Sequence, residues 1–508
     1  MKTTVNAAGI SLPDYIEGYG KVVPFGECKT PSFCTPTVHR RGGEKLTGSI
    51  GELFEHLDLH DGITVSFHHH LRNGDAVLSA VMSALAERGI RDIHVAASGI
   101  FPCHEMLVTL MESGVVTKIT TSTFNPGPVA RAISAGKLQK PAVLMTHGGR
   151  ARAIESGDLE IDIAFLAAPS CDSRGNMNGF GPSGCGCLSY AWADARYAKC
   201  VVAVTDNLVP YPCPHPEITE ELVDYVLTVD SIGDPNSIVS GTTKITEDAV
   251  RLRIAQYAAD VMQAAGAIHN GMSFQTGASG TSLAVADIVR GYMLKQGIKG
   301  SFGLGGIHAY MVKMLKDGLF DALLDVQCFD LQAVESLKTD SAHQIISGSR
   351  YASINAASCV VDSLDTVILG ATEIDTDFNV NVVSGSDGVI LGASGGHSDC
   401  AAGAALTIVV SNLTRKNFCI VRDHVTTVTT PGRDIDVFVT EHGIAVNPRR
   451  ADLLPALQAA GLPLKNIWQL KEYGEELVGP QKHAETKERI VGVVEYRDGS
   501  VIDLLYEI

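Results

Sequence analysis

The sequence predicts an α/β protein built from two tandem, structurally similar domains with mainly parallel sheets. Three observations predict it. The chain carries an internal repeat, strand-like and helix-like stretches alternate along it, and its composition suits tight strand-to-helix turns. The repeat is clearest at Asp172-Ser173-Arg174-Gly175-Asn176-Met177-Asn178, which closes an apolar run over 161–168, and at Asp375-Thr376-Asp377-Phe378-Asn379-Val380-Asn381, which closes another over 367–371. Both read D-x-x-x-N-x-N just past a strand, 203 residues apart. Gly89 and Gly297, Gly114 and Gly318, and the Gly-Pro-Ser-Gly and Gly-Ala-Ser-Gly motifs at 181–184 and 392–395 recur in the same order at offsets of 204 to 211. Gly numbers 51 and aromatics only 6%. That balance fits sheets whose turns need positive φ and close backbone approach.

The elements follow in order. Residues 1–45 fit neither repeat and read as an amino-terminal arm, with Tyr15, Tyr19 and Phe25 among turn residues. The first domain spans 46–235. It opens with a strand at 64–67, then a helix on which Val77, Leu78, Val81, Met82 and Leu85 share one face. Gly89 suits the left-handed position after that helix, and the next strand is 93–97. A turn-rich stretch, Ser231-Ile232-Gly233-Asp234-Pro235-Asn236-Ser237, separates the halves. The second domain covers 236–508 and ends in a hairpin, 490–496 with 501–506, turned at Asp498-Gly499.

Charge and cysteine usage exclude several classes. A formal net charge of −17 repels polyanions, so nucleic acid is not expected as a partner, and an anionic substrate needs a local cationic pocket. Twelve scattered cysteines and no signal-peptide core behind Met1 predict reduced thiols in the cytoplasm. No apolar run reaches the ~18 residues of a membrane span; the longest, 401–410, reads as a buried helix or strand. No C-x-x-C pair or H-E-x-x-H is present, so no metal is expected, although Cys185, Cys187, Cys213, His215 and the His68-His69-His70 triplet are conceivable ligands.

Four Gly-rich segments sit where strands should end: 275–280, 303–308, 384–388 and 392–399. Backbone N–H groups there could hold an oxyanion or a phosphate, or the glycines could serve turns alone. All four lie in the second half, which points to oxyanion or phosphate handling there. Proton-bearing and cationic candidates cluster in the first half: His68, His69 and Arg72 after one strand, and His147 and Arg150 after another. Arg forks match carboxylates bidentately, though any one histidine could equally be satisfied in the core. Glu373 starts a motif at a strand end and could be a nucleophile or base, or could hydrogen-bond its own loop.

These residues resemble a known family. The runs 372–376 and 378–381, the loop 392–399, Phe274-Gln275-Thr276-Gly277, Val65-Ser66-Phe67-His68-His69, Thr146-His147-Gly148-Gly149-Arg150 and Thr440-Glu441-His442-Gly443-Ile444-Ala445 look like the citrate lyase α subunit, over about residues 45 to 508. The resemblance implies a coenzyme A transferase-like fold with the active site between two domains. It implies transfer of a thioester carrier from acetate to citrate, with citryl-carrier or citryl-CoA and acetate as products. No cofactor would be bound by this chain; the thioester would be a dephospho-CoA derivative on an acyl carrier subunit, or acetyl-CoA. The implied partners are that subunit and a lyase β subunit, in an oligomer. The expected site comprises Glu373, His308, Gly395 and Gly396 for catalysis, and His68, His69, Arg72, His147 and Arg150 for citrate. Gln275, Thr276, Gly277, Gly305, Gly306, Asn379, Asn381, Gly392, Ser394 and His397 would hold the carrier. Related hydrolases and transferases resemble Gly306-Ile307-His308-Ala309-Tyr310 but place a nucleophilic Glu where this chain has Tyr310. The resemblance therefore implies direct attack of citrate on the thioester, through an acetyl–citryl anhydride. The alternatives are an acyl-CoA hydrolase or transferase using a glutamyl thioester, a phosphosugar- or nucleotide-sensing regulator on the same fold, and a purely structural subunit.

Overall fold

The computed structural model describes residues 2–27, 31–39, 42–182, 184–238 and 244–508. Ser183, one member of the repeated Gly-rich motifs, lies outside the described residues. Two large sheets dominate. In the first half the repeated strands are, in chain order, Thr64–Phe67, Ile93–Ala97, Val116–Thr121, Ala142–Leu144, Ile163–Ala167, Cys200–Thr205 and Tyr225–Thr228. In the second they are Ser273–Thr276, Gly300–Ile307, Phe320–Cys328, His343–Ile345, Thr366–Gly370, Leu406–Val410 and Val437–Thr440. Numbered along each half, both sets lie in the spatial order 4-3-2-1-5-6-7. Every neighbouring pair within each set is parallel.

The duplication read from the sequence is thus a duplication of topology. It extends to two small three-stranded sheets. Ser170–Asp172 pairs antiparallel with Met177–Asn178 and parallel with Leu208–Val209. Glu373–Asp375 repeats both pairings with Val380–Asn381 and Val421–Arg422. The D-x-x-x-N-x-N motif explains the hairpins. Asp172 Oδ1 accepts the N–H groups of Arg174, Gly175 and Asn176, and Asp375 Oδ1 accepts those of Asp377 and Asn379. The carboxylate closes its own turn, as aspartate does in such loops.

Helices cover the sheets as the apolar periodicity predicts. Val77–Glu87 buries Val77, Leu78, Val81, Met82 and Leu85, each worth about 1.5–3 kcal/mol of hydrophobic transfer. Gly89 (φ 79°) and Gly297 (φ 68°) take the left-handed positions that end equivalent helices in the two halves.

Three expectations are corrected. The segment 303–308 is not a loop: Gly300–Ile307 is a strand with a register shift between Gly305 and Gly306. Its glycines admit neighbours, since a Cβ at Gly306 would strike the Phe329 ring and one at Gly303 would strike Met311 and Leu323. The run 401–410 divides between helix His397–Gly403 and strand Leu406–Val410. The final hairpin does not stay with the second half. Its strand Ile490–Glu495 pairs parallel with Ala142–Leu144, so the hairpin covers an edge of the first sheet.

The amino-terminal arm packs on that same hairpin. Leu12, Ile16 and Val22 are buried with Val493, Val501 and Leu504, and Phe25 meets Tyr496 edge-on at 4.8 Å. No helix among the described residues is long and apolar enough to cross a membrane.

Candidate active site

In an open parallel sheet the strand order reverses beside strand 1, and the crevice beyond the carboxyl ends there is the usual ligand site. Both halves present that crevice to each other. Between them lies a cavity of about 310 Å³, lined from the first half by His69, Arg72, Phe101, Thr123, His147 and Tyr190. The second half contributes Gln275, Thr276, Gly277, Gly306, Gln327, Phe329, Tyr351, Gly370, Gly396 and His397 among others.

The loop carrying Gly395 and Gly396 joins the halves. His147 N donates to Gly395 O (2.8 Å) and Gly395 N donates to Ser122 O (3.1 Å). Asp399 Oδ2 accepts from Gly148 N (2.9 Å), which caps the helix His147–Ser156 from the opposite half. Burial lifts that carboxyl to a pKa of about 6 against the opposing pull of Arg497 and the Gly148 N–H.

Two histidines frame one wall. Ser98 Oγ lies 2.7 Å from His69 Nδ1, and Ser122 Oγ lies 3.0 Å from His147 Nδ1. Tyr190 packs against both rings, at centroid distances of 4.8 and 4.6 Å, and the two imidazoles lie 6.4 Å from each other. With the serines holding Nδ1, each ring offers Nε2 to a ligand. Burial holds both imidazoles neutral: His147 falls to about 3, with the Arg150 charge adding to the effect, and His69 lies well below its ordinary value, with His147 and Arg72 adding to it.

Arg72 is the one cation among the described lining residues. It adopts a left-handed backbone (φ 55°), its guanidinium lies 4.8 Å over the Phe329 ring, and its Nη1 is buried without a partner. A non-glycine residue held at positive φ with an unsatisfied charged donor marks a place where strain serves a site.

Of the predicted residues, the structure brings His69, Arg72, His147, Gln275, Thr276, Gly277, Gly306, Gly396 and His397 to the cavity. His397 contributes its ring only, because Nδ1 meets Thr430 Oγ1 (2.7 Å) and Nε2 meets Gly370 O (2.9 Å). Gly305 stands directly behind Gln275, where a Cβ would lie 2.8 Å from the amide carbon. Gly395 lends its amide to Ser122, so that N–H is not an oxyanion donor.

The others lie elsewhere. Arg150 does not reach the cavity: Nη1 and Nη2 bind Asp194 (2.9 and 2.8 Å), and Nη2 also meets Ser66 Oγ and Ala96 O, all buried. His68 faces the core with Nε2 on Ala167 O (2.7 Å). Glu373 is fully buried and saturated by Arg422, Asn381, Ser386 and Thr426. Asn379 holds its turn through Asp375 and Gly432, and Asn381 holds its own through Val383 and Ser384. Gly392 would drive a Cβ into Val382 O, and Ser394 bonds Ser398. His308 is buried behind the wall with both ring nitrogens unpartnered, and Tyr310 lines a separate hollow with Lys313 and Lys316.

Sequence reasoning missed Tyr190, Tyr351, Gln327 and Phe329. It also missed Ser98 and Ser122, which the endings Ala97-Ser98-Gly99 and Thr121-Ser122-Thr123 after strands could have signalled. One group of metal-type ligands was missed as well. Cys187, Asp325 and Cys328 bring their ligand atoms within 4.8 Å of one another. Protein groups already satisfy that carboxylate: Cys328 Sγ donates to Oδ2 (3.0 Å), His343 Nε2 meets Oδ2 (3.2 Å) and Gln327 N donates to Oδ1 (2.8 Å).

Comparison with known proteins identifies the family. Residues 43–508 match the family model "Citrate lyase, alpha subunit (CitF)". The citrate lyase alpha chain of Klebsiella pneumoniae is 44% identical over 498 residues, 98% of this chain and 97% of that one. The Escherichia coli K12 counterpart is 45% identical over 465 residues, 91% of each chain. The crystal structure of the putative alpha subunit of citrate lyase from Streptococcus mutans, solved in complex with citrate, superposes with a TM-score of 0.95 at 44% identity, covering 99% of both chains. A malonate decarboxylase alpha subunit from Acinetobacter baumannii shares only the fold, with a TM-score of 0.61 at 15% identity over 83% of this chain and 92% of that one. With its coenzyme A transferase-like pair of domains and a match that spans nearly its whole length, the chain belongs to the citrate lyase α-subunit family.

Proposed function

We propose that this chain moves a thioester carrier from acetate to citrate, giving citryl-carrier or citryl-CoA and acetate, with no acyl-enzyme intermediate. One observation carries the reading: Arg72 Nη1 is buried and unpartnered in a cavity whose described lining residues include no carboxylate and no thiol. Such a lining receives an anion and offers no side-chain nucleophile of the usual kinds for a stable acyl-enzyme.

In this mechanism Arg72 binds one citrate carboxylate and His69 donates from Nε2 to another. His147, whose Nδ1–H is held by Ser122 Oγ because that hydroxyl donates to Ser98 O, donates from Nε2 once it takes up a proton with citrate. A citrate carboxylate oxygen attacks the acetyl thioester carbonyl. The π pair moves to oxygen, the oxyanion collapses and the carrier leaves as thiolate. The thiolate then attacks the citryl carbonyl of the acetyl–citryl anhydride and acetate departs. Holding both anions in attack geometry is worth up to about 7–11 kcal/mol, which replaces a protein nucleophile. The Gln275-Thr276-Gly277 segment and Gly306 face the carrier arm.

The same reading takes the carrier arm to be a dephospho-CoA derivative on an acyl carrier subunit, for which acetyl-CoA substitutes. A β subunit completes citrate cleavage, and the assembly works in the cytoplasm. The test is incubation of the purified chain with citrate and acetyl-CoA, without metal or nucleotide. Citryl-CoA and acetate are the expected products; free CoA without citryl-CoA would indicate hydrolysis instead.

A further inference from the structure

Gln275 is the penultimate residue of the first strand of the second half, Ser273–Thr276, and lines the cavity. Its Nε2 lies 3.0 Å from Tyr351 Oη, and Tyr351 Oη lies 2.9 Å from Cys400 Sγ. In this orientation Gln275 Oε1 is buried with no partner, at a cost of about 1–3 kcal/mol. An amide turned through 180° fills the same space and exchanges its two ends. Turned so, each group acts in its better sense: the Cys400 thiol donates to the phenol oxygen, and the phenol donates to the amide oxygen. Burial pushes the Cys400 thiol up to about 12 and raises the Tyr351 phenol, so both keep their protons. The amide N–H₂ is then the end left without a protein partner, on a residue that lines the cavity where the substrates bring carboxylates and a developing oxyanion. A carbonyl oxygen aimed there would repel them.

Two glycines make room for this chain of groups. A Cβ at Gly305, which sits at φ 102°, would lie 2.8 Å from the Gln275 amide carbon. A Cβ at Gly396 would lie 2.5 Å from Tyr351 Oη. Gly305 comes from the bulged strand and Gly396 from the loop that joins the halves, so both segments yield space to the same amide and phenol. The amide is clamped on one side and oriented on the other, which is the preorganisation an oxyanion donor requires.

We infer that Gln275 donates its amide N–H to the thioester oxyanion, and that Tyr351 and Cys400 are positioning residues that fix the direction of that amide. This rests on the transfer reading above. The step balances without any exchange at the amide. The attacking citrate oxygen forms the new C–O bond, the carbonyl pair moves onto oxygen and returns when the C–S bond breaks. Gln275 neither gains nor loses a proton.

The experiment compares wild type, Gln275→Ala, Gln275→Glu and Tyr351→Phe as full chains, using citrate and acetyl-CoA. Turnover to citryl-CoA is measured by initial rates and citrate affinity by calorimetry. Loss of one oxyanion donor should lower kcat about 10²–10³-fold in both Gln275 variants, while citrate Kd stays within about threefold in Gln275→Ala and weakens in Gln275→Glu, whose added negative charge repels citrate. Tyr351→Phe should lower kcat by about tenfold or more at the same citrate affinity, because the amide remains but its direction is no longer fixed. Thermal melts confirm folding, and Tyr351→Phe provides a second route if a Gln275 variant does not fold. A Gln275→Ala kcat within about threefold of wild type overturns this inference alone. So does a parallel loss of citrate affinity, which would make Gln275 a ground-state citrate ligand. A wild-type protein that forms no citryl-CoA overturns the transfer reading, and this inference with it.

Discussion

Arg72→Gly separates function from stability at a single position. Arg72 holds φ at 55°, where a residue with a Cβ carries roughly 1–2 kcal/mol of strain that glycine does not. Replacement also removes an unsatisfied buried donor. Against this, it forfeits a cation–π contact with Phe329 worth about 0.5–1 kcal/mol and adds backbone freedom to the unfolded chain worth about 0.5–1 kcal/mol. The terms nearly cancel, so stability should change by less than about 1 kcal/mol. Citrate binding should not escape so lightly. A charge-assisted bond to a carboxylate is worth about 1.5–3 kcal/mol, which at about 1.36 kcal/mol per decade predicts a rise of about 10- to 150-fold in citrate Kd. Calorimetry gives the affinity, thermal unfolding gives the stability, and initial rates should show KM for acetyl-CoA much less affected. A variant that melts well below wild type yet binds citrate normally would make Arg72 a structural residue and refute the reasoning.

Arg150→Ala should behave oppositely: it leaves Asp194 buried and unpaired, so stability falls by about 3–5 kcal/mol while the folded fraction keeps its citrate KM. An unchanged melt would contradict the buried pair. Glu373 should never carry an acyl group; borohydride reduction after incubation with acetyl-CoA should leave it unmodified by peptide mass spectrometry, and initial rates should show a ternary complex rather than parallel double-reciprocal lines. Citrate binding should take up protons. Burial and Arg150 hold His147 near a pKa of about 3, and a bound anion raises it. Affinity should therefore strengthen as pH falls toward the raised value, after allowance for citrate's own ionisation. Calorimetry in buffers of different ionisation enthalpy reads the uptake, and zero uptake would sink the idea.

Much of the fold was legible because its signals are local. Strand 64–67, the helix face built on Val77 to Leu85 and the D-x-x-x-N-x-N turns depend on neighbours a few residues away. The destination of the final hairpin was not legible, because pairing with Ala142–Leu144 is a contact between segments some hundreds of residues apart. The site divides in the same way. His69, Arg72 and His147 follow strands at a switch point, so strand position alone delivers them. Arg150 and Glu373 carry the right chemistry at equally promising positions. Asp194 and Arg422, remote in sequence, claim them for the core. Tyr190 and Tyr351 were invisible for the converse reason: no local pattern shows that a lone aromatic will be folded against a ligand site.

The crossing of the last hairpin bears on how the chain is made. Ribosomes add about 5–20 residues per second, so some 346 residues and roughly 17–70 seconds separate the emergence of Leu144 from that of Ile490. Throughout that interval the strand Ala142–Leu144 exposes a bare hydrogen-bonding edge, and Leu12, Ile16 and Val22 of the arm lack the surface they cover. The first half thus begins synthesis early but completes its sheet last, after the second half has been produced in full. Expressing residues 46–235 alone would yield an open-edged sheet prone to pairing with its own copies, whereas a chain in which 490–508 is relocated to follow 235 should close that edge early.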